Sequence, residues 1–145
     1  MLESAIDEVL KKDTKTKELF LGVFARDELP QKVNYPSCLV FNTQPRSQRG
    51  QHWLALFYDK NGHCDFFDSF AMPASNYSLV PYLERTSNSW AENKKRIQGN
   101  SQYCGHYVIF FLIFRVRANG IKFFQSFGSN FSLNDKKIKN LIDKN

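Results

Sequence analysis

The chain has 145 residues, a formal net charge of +6 and an aromatic content of 15%. This length suffices for one domain with a proper core, which we place at residues 1–145, and the composition excludes a disordered chain or a coiled coil. The moderate positive charge is compatible with nucleic acid as a partner but does not require one. The longest apolar run, residues 108–114, ends at Arg115 and predicts a buried helix, so no membrane association is expected.

The N-terminal residues and the cysteines point to a reducing compartment. Glu3 stands where a secretory signal would carry basic residues, and no apolar stretch follows it. The three cysteines cannot all pair within the chain, and no CxxC spacing suggests zinc. We therefore expect an intracellular protein with one reactive thiol and two buried ones, and with no metal or bound cofactor.

The first half of the chain predicts a helix followed by strands. Apolar residues recur at helical spacing in residues 2–10, and Ser37 to Phe41 has the composition of a buried strand. Residues 52–58 and 63–67 predict two further strands. Asn61-Gly62 between them is a strong hairpin signal, because these residues tolerate the positive φ of a tight turn.

The second half is predicted to be mainly helical. We expect a short helix at 77–84, a short edge strand at 95–98 and the longest helix at 102–118. A loop rich in Phe, Gly and Ser follows, and a capping box at Ser132 opens a last helix. The predicted class is α+β: a small, mainly antiparallel sheet packed against helices, one of which is long and begins at a cysteine.

Cys104 is the candidate reactive thiol. It lies at the predicted start of the long helix, where backbone N–H groups and the helix dipole favour a thiolate, and Gly105 leaves room for a substrate backbone. Cys38 and Cys64 lie inside predicted strands between apolar neighbours and are expected to be unreactive core residues.

His52 is the candidate general base, with an acidic partner on the next strand. It opens a strand beside Trp53, and the hairpin returns the chain so that Asp68 lies level with His52 or its neighbour. A carboxylate in that place fixes the imidazole tautomer and stabilises the imidazolium. Asp65 competes for the role but faces the opposite side of the strand.

Gln98, six residues before Cys104, is the candidate oxyanion donor, together with the Cys104 backbone N–H. Gln102 and Gln51 are weaker rivals for this role. A base, an orienting acid, an oxyanion donor and a nucleophile in one short chain predict a cysteine peptidase.

At these residues the chain resembles the adenain-like cysteine peptidases of adenoviruses and virus-like transposons, which share a papain-like fold with the ubiquitin-like protein-specific proteases. The resemblance covers residues 18–118. Four segments carry it: Gly22-Val23-Phe24 with Asp27 to Pro30, Gly50 to Trp53, Phe67 to Phe70, and Gln98 to Gly105. It implies His52 as base, Asp68 as orienting acid, Gln98 as oxyanion donor and Cys104 as nucleophile. We also expect Trp53 and Gly105, which adjoin the base and the nucleophile, to contact substrate.

The resemblance further implies an endopeptidase that cleaves a polypeptide after small, Gly-type residues. We expect a monomer that processes viral or transposon structural-protein precursors, in a virion or in the host cytoplasm or nucleus. Some members of the family need a peptide or DNA activator, so either is an expected partner. One alternative is a protease acting on conjugates of ubiquitin or a ubiquitin-like modifier. The spacing between Gln98 and Cys104 resembles that of the ubiquitin-like protein-specific proteases more closely.

A second alternative is a module of little catalytic activity that binds nucleic acid or capsid protein. Its candidate contacts are two groups of basic residues, which a wider basic stripe could extend. The two groups are Arg46 with Arg49 and Lys94 with Lys95 and Arg96, and the stripe adds Arg115, Arg117 and Lys122.

Overall fold

The computed structural model describes residues 1, 3–44, 52–118 and 120–143. Within these ranges the chain forms five helices and five strands. The helices are α1 (Glu3–Lys12), α2 (Val80–Thr86), α3 (Cys104–Val116), α4 (Gly120–Gln125) and α5 (Phe131–Asp143). The strands are β1 (Phe20–Phe24), β2 (Ser37–Asn42), β3 (Trp53–Tyr58), β4 (His63–Phe67) and β5 (Ser89–Glu92).

The five strands form one sheet in the order β1-β2-β3-β4-β5. The central pairings, β2 with β3 and β3 with β4, are antiparallel, whereas β1 and β5 are added in parallel at the two edges. The predicted α+β class is confirmed, and the sheet is mixed because each edge strand is reached through a crossover connection.

Apolar clusters cover both faces of the sheet. One cluster joins Val40 and Phe67 to the inner face of α3, and the other joins Leu39 and Phe66 to Leu83 of α2. Because both faces of β2 are covered, all six of its residues are buried. A strand buried on both faces is nearly continuous in apolar residues, as β2 is from Cys38 to Phe41. Among the described helices none is long and apolar enough to cross a bilayer.

Helix α3 packs against one face of the sheet, and this packing positions its first residue. Its inner surface is buried, and Phe111 stacks on Phe67 of β4 with ring centroids 4.4 Å apart. Phe123 of α4 packs edge-on against both of these rings. From the other side, α1 inserts the fully buried Ile6 into the same cluster. This packing fixes the first residue of α3, Cys104, beside the sheet.

Three predicted elements differ from the structure. Residues 95–98 are not a strand, because the N–H groups of Ile97 and Gln98 both donate to the Ser69 carbonyl instead of a sheet ladder. The edge strand is β5, which the sequence did not indicate. Residues 120–125 form α4 where a loop was expected, because Phe123 is drawn into the core. The helix predicted at 77–84 is α2, preceded by a 3-10 turn at Ala74–Tyr77.

The predicted hairpin between β3 and β4 is confirmed. Asp59 closes the turn: its carbonyl accepts from the N–H of Gly62, and its carboxylate accepts from the N–H groups of Asn61 and His63. Gly62 has φ +82°, and a Cβ there would lie 2.6 Å from the Tyr35 ring and 2.5 Å from the Asn88 amide. Only glycine fits this position without strain.

Replacement of Gly62 by alanine is expected to destabilise the fold. A left-handed backbone costs a non-glycine residue about 1–2 kcal/mol, and the contacts with Tyr35 and Asn88 add to that. The measurement is the urea midpoint at constant m-value. Gly128→Ala is the matched control, since a Cβ at Gly128 meets nothing within 4 Å. Equal midpoints for the two variants would contradict the prediction.

Candidate active site

His52 and Asp68 are joined by a short hydrogen bond in the interior of the protein. The Nε2 atom of His52 lies 2.6 Å from Oδ1 of Asp68, and the two residues are 7% and 0% exposed. Since the carboxylate can only accept when ionised, Nε2 carries the proton and the bond fixes the imidazole tautomer.

The two residues come together because each lies at the end of a strand. His52 immediately precedes β3, where its carbonyl accepts from the N–H of Thr43, and Asp68 immediately follows β4. Ala55 pairs with Phe67, so that continuing the register places Asp68 opposite Leu54, two residues from His52 and not level with it. The side chains close this remaining gap.

Cys104 approaches the other side of the imidazole. The thiol lies close enough to the His52 ring and to the Trp53 backbone N–H for both to stabilise its negative charge, and Cys104 is 8% exposed. Nδ1 of His52 is buried and makes no hydrogen bond among the described residues, so it is the ring nitrogen left to exchange a proton with the thiol. The cysteine is also the first residue of α3, where free N–H groups favour a negative charge.

The electrostatics of this arrangement favour a thiolate–imidazolium pair. Burial by itself lowers the pKa of His52, but the hydrogen bond with Asp68, the neighbouring Cys104 thiol and the charges of both groups raise it to about 9. Burial by itself raises the pKa of Cys104, but the neighbouring His52 ring with its charge and the Trp53 N–H bring it below its usual value. The pairing therefore stabilises the form of each group that a nucleophilic thiol needs.

Asp68 is held from several directions. Its Oδ1 also accepts from the backbone N–H of Phe70 at 2.9 Å, and its Oδ2 accepts from the hydroxyl of Tyr77 at 2.5 Å. Burial and the bond to Asp68 raise the pKa of Tyr77, which keeps its hydroxyl a donor. Asp65, the rival carboxylate, instead binds Arg115 at 2.7 Å and His63 at 3.2 Å.

Two residues that the sequence did not assign a role, Tyr77 and Phe70, contact this pair. The Phe70 ring stacks on the imidazole of His52, with centroids 4.2 Å apart and planes inclined by 13°. Phe70 stands within a segment that carries the family resemblance, and that proximity is the signal that could have found it. Tyr77 is nine residues from Asp68 in a turn, and no spacing rule points to it.

Gln98 is fully buried, and its amide is held by two serines. Its Nε2 donates to the carbonyl of Ser101 at 2.9 Å and lies 3.2 Å from that residue's Oγ, whereas its Oε1 accepts from the hydroxyl of Ser69. Because a carbonyl can only accept, the bond to Ser101 fixes which amide atom is the nitrogen. The amide N–H₂ thus points to the loop just before Cys104, and its described contacts do not include Cys104 itself.

Trp53 and Gly105, the residues predicted to contact substrate, both contact Met1. The indole Nε1 of Trp53 donates to the Met1 carbonyl at 3.2 Å. A Cβ on Gly105 would lie 3.0 Å from the Met1 Cβ and 3.3 Å from its sulfur. In this structure Met1 therefore occupies the surface that the two residues form next to Cys104, with its carbonyl on Trp53 and its side chain on Gly105.

Three of the five residues first proposed to bind nucleic acid lie in the described part of the chain, and each has a partner within the protein. Lys94 lies 3.2 Å from Glu92, Lys95 donates to the carbonyls of Phe124 and Phe127, and Nε of Arg96 donates to the Gln98 carbonyl at 2.7 Å. Arg46 and Arg49 lie outside the described residues, as does Gln51.

The site geometry predicts that Cys104 is alkylated faster than an ordinary thiol at about pH 6. A lowered thiol pKa keeps thiolate present below the usual value of ~8.5, and the imidazolium that supports it is lost only as pH rises through the His52 pKa of about 9. The measurement is the iodoacetamide rate at each cysteine against pH, read by peptide mass spectrometry. His52→Ala should slow Cys104 to the rate of a model thiol.

The other two cysteines are internal controls. Burial raises the pKa of Cys38 to about 12 and raises that of Cys64 as well, so neither should react in the folded protein. A Cys104 rate that is the same with and without His52 would contradict the assignment of the pair.

Comparisons with known proteins identify the fold. No protein-family model matches the chain, and no curated protein matches it in sequence. Solved structures do match. ChlaDub1 from Chlamydia trachomatis is similar with a TM-score of 0.55 and 14% identity over 75% of this chain and 58% of that one. The ASFV pS273R protease has a TM-score of 0.56 and 19% identity over 79% of this chain and 57% of that one.

A third match extends over nearly the whole chain. The central domain of the Lpg1148 protein from Legionella pneumophila has a TM-score of 0.51 and 12% identity, covering 99% of this chain and 98% of that one. The chain spans less than two thirds of the first two structures. At these identities the matches show that the chain shares its fold with these three proteins.

Proposed function

We propose that the protein is an adenain-like cysteine endopeptidase with His52 as general base, Asp68 as orienting acid and Cys104 as nucleophile. The observation that carries the proposal is the imidazole of His52, which binds Asp68 through Nε2 at 2.6 Å and interacts with the Cys104 thiol on its other side. A base that lies between a thiol and an orienting carboxylate is the arrangement that activates the thiol for acyl transfer.

In the first half of the reaction, the Cys104 thiolate attacks the carbonyl carbon of the scissile peptide bond. The imidazolium of His52 then gives its proton to the leaving amine as the C–N bond breaks, which leaves a thioester on Cys104. In the second half, neutral His52 takes a proton from water, the resulting hydroxide attacks the thioester, and the thiol leaves as thiolate while the acid product is released.

The negative oxygen formed in each half needs donors. The Cys104 N–H at the start of α3 supplies one, and we assign the Gln98 amide as the second. Gln98 would exchange a contact with Ser101 for the oxyanion, and its Ser69 bond keeps the N–H₂ end directed toward the loop that carries Cys104.

A polypeptide substrate is supported by what already lies next to the nucleophile. The carbonyl of Met1 accepts from the Trp53 indole while its side chain contacts Gly105. A substrate segment that replaces Met1 would find the same donor for a main-chain carbonyl and the same close approach at Gly105, so we assign both residues to substrate binding.

For the natural substrate we propose viral or transposon structural-protein precursors, cleaved after small residues. The shared fold with a viral protease supports this class. Conjugates of ubiquitin-like proteins are the second candidate, and they are supported by the equally similar fold of ChlaDub1. Activation by a peptide or DNA, and DNA contacts through Lys94, Lys95 and Arg96, stay predictions.

The proposed function predicts hydrolysis of a fluorogenic Leu-x-Gly-Gly peptide by the wild-type protein and none by Cys104→Ala. The alanine should leave the fold intact because it keeps a small apolar side chain at the start of α3, which circular dichroism checks. Turnover retained by the variant would end the proposal. Cleavage of a folded modifier conjugate but not of the peptide would instead favour the second candidate.

Gln98→Ala is expected to lower kcat by about 10²–10³, since one oxyanion donor contributes about that much to the rate. KM should change little, because the donor acts on a charge that forms only in the transition state. Gln102→Ala is the matched control: Gln102 is exposed and lies nearer to Cys104 along the chain. An effect on KM alone would remove Gln98 from the oxyanion hole.

A further inference from the structure

The aromatic ring that covers the His52 imidazole is held in place by its own backbone. Phe70 stacks on the imidazole at a centroid distance of 4.2 Å, and its N–H donates to the same Asp68 oxygen that accepts from His52. Asp68 therefore fixes both members of the stack, the imidazole through a side-chain bond and the phenyl ring through the backbone two residues on.

A guanidinium group contacts the same ring. The Arg96 guanidinium carbon lies 5.4 Å from the centroid of Phe70 and 5.3 Å from that of Phe131. Its Nε donates to the Gln98 carbonyl at 2.7 Å, which anchors the arginine to the segment that leads to Cys104. Phe70 is thus confined between a buried imidazole and an anchored arginine side chain.

We propose that Phe70 is a positioning residue for His52, whose stacked ring stabilises the imidazolium form and holds the ring plane between Asp68 and Cys104. The inference rests on the proposed function, in which that imidazolium protonates the leaving amine. A cation in contact with an aromatic face is stabilised by the ring quadrupole, and more strongly where water is excluded. At this site the imidazole is nearly inaccessible to solvent.

Several charged or polar groups near His52 also affect the stability of the imidazolium, and their effects differ in kind from that of the Phe70 ring. Asp68 and the thiolate of Cys104 favour the imidazolium by charge, and the Met1 amino group acts on Cys104. The Tyr77 ring lies 6.5 Å from the imidazole centroid, and its hydroxyl is bonded to Asp68. The positive charge of Arg96 disfavours an imidazolium nearby, and its guanidinium packs on the Phe70 ring. Replacing Phe70 by an aliphatic residue therefore removes the stacked ring and leaves these charges in place.

The experiment is an NMR titration of the His52 ring in isotope-labelled protein, together with iodoacetamide rates at Cys104. In Phe70→Leu the midpoint of the His52 titration should fall by about 0.5–1 pH unit, given the usual strength of a cation–aromatic contact. Because Cys104 then loses part of its imidazolium partner, its alkylation at about pH 6 should slow by about three- to tenfold. Phe70→Tyr keeps the ring and should restore both values.

Phe114→Leu is the matched control. Phe114 is a half-buried aromatic residue of α3 whose ring packs on Phe123 at 5.7 Å, and it has no part in the site. If Phe70→Leu does not fold, Phe70→Met, which is nearer in volume, takes its place.

The outcomes separate this inference from the proposed function. A His52 midpoint in Phe70→Leu equal to that of the wild type, or an equal shift in Phe114→Leu, overturns the role of Phe70 whatever the alkylation rates are. A wild-type Cys104 that reacts like a model thiol counts against the proposed nucleophile, and the His52 titration still decides the role of Phe70.

Discussion

The bond between His52 and Asp68 is the constraint on which the rest of the site depends. A fully buried carboxylate is costly unless its oxygens are bonded, and here His52, the Phe70 N–H and the Tyr77 hydroxyl supply three donors. Because these donors come from the start of β3, the loop after β4 and a turn before α2, the bond ties together three separate parts of the chain. It also determines which ring nitrogen of the imidazole, Nδ1, remains for the thiol.

Packing places Cys104, the proposed nucleophile, in a buried position, and burial by itself opposes the thiolate that a nucleophile needs. The aromatic cluster of Phe67, Phe111 and Phe123 fixes α3 across the sheet, so that its first residue lies against the start of β3. The same burial raises the pKa of Cys38 and would raise that of Cys104. Both thiols are buried, so burial does not explain why their pKa values shift in opposite directions. The difference arises from the imidazole beside Cys104.

The positive charge of the chain is partly used within the fold. Arg117 binds Asp13 at 2.8 Å, which joins the end of α3 to the loop after α1, and Arg115 binds Asp65 and lies over the Phe57 ring. Lys95 binds the carbonyls of Phe124 and Phe127, as a cation commonly does at a helix C-terminus. A count of basic residues in the sequence therefore overstates the charge that is free to meet an acidic partner.

The sequence by itself determined the elements that depend on local signals. These are the strand predicted from Ser37 to Phe41, the hairpin at Asn61-Gly62, and a long apolar helix with a cysteine at its start. It also singled out His52, Asp68, Gln98 and Cys104, because their residue types and order carry chemical meaning. Only the tertiary structure decided how the strands add in parallel at β1 and β5, that residues 120–125 are a helix, and that Phe70 and Tyr77 contact the His52–Asp68 pair. The physical reason is that these features arise from contacts between segments distant along the chain, and such contacts leave no periodicity or spacing in the sequence.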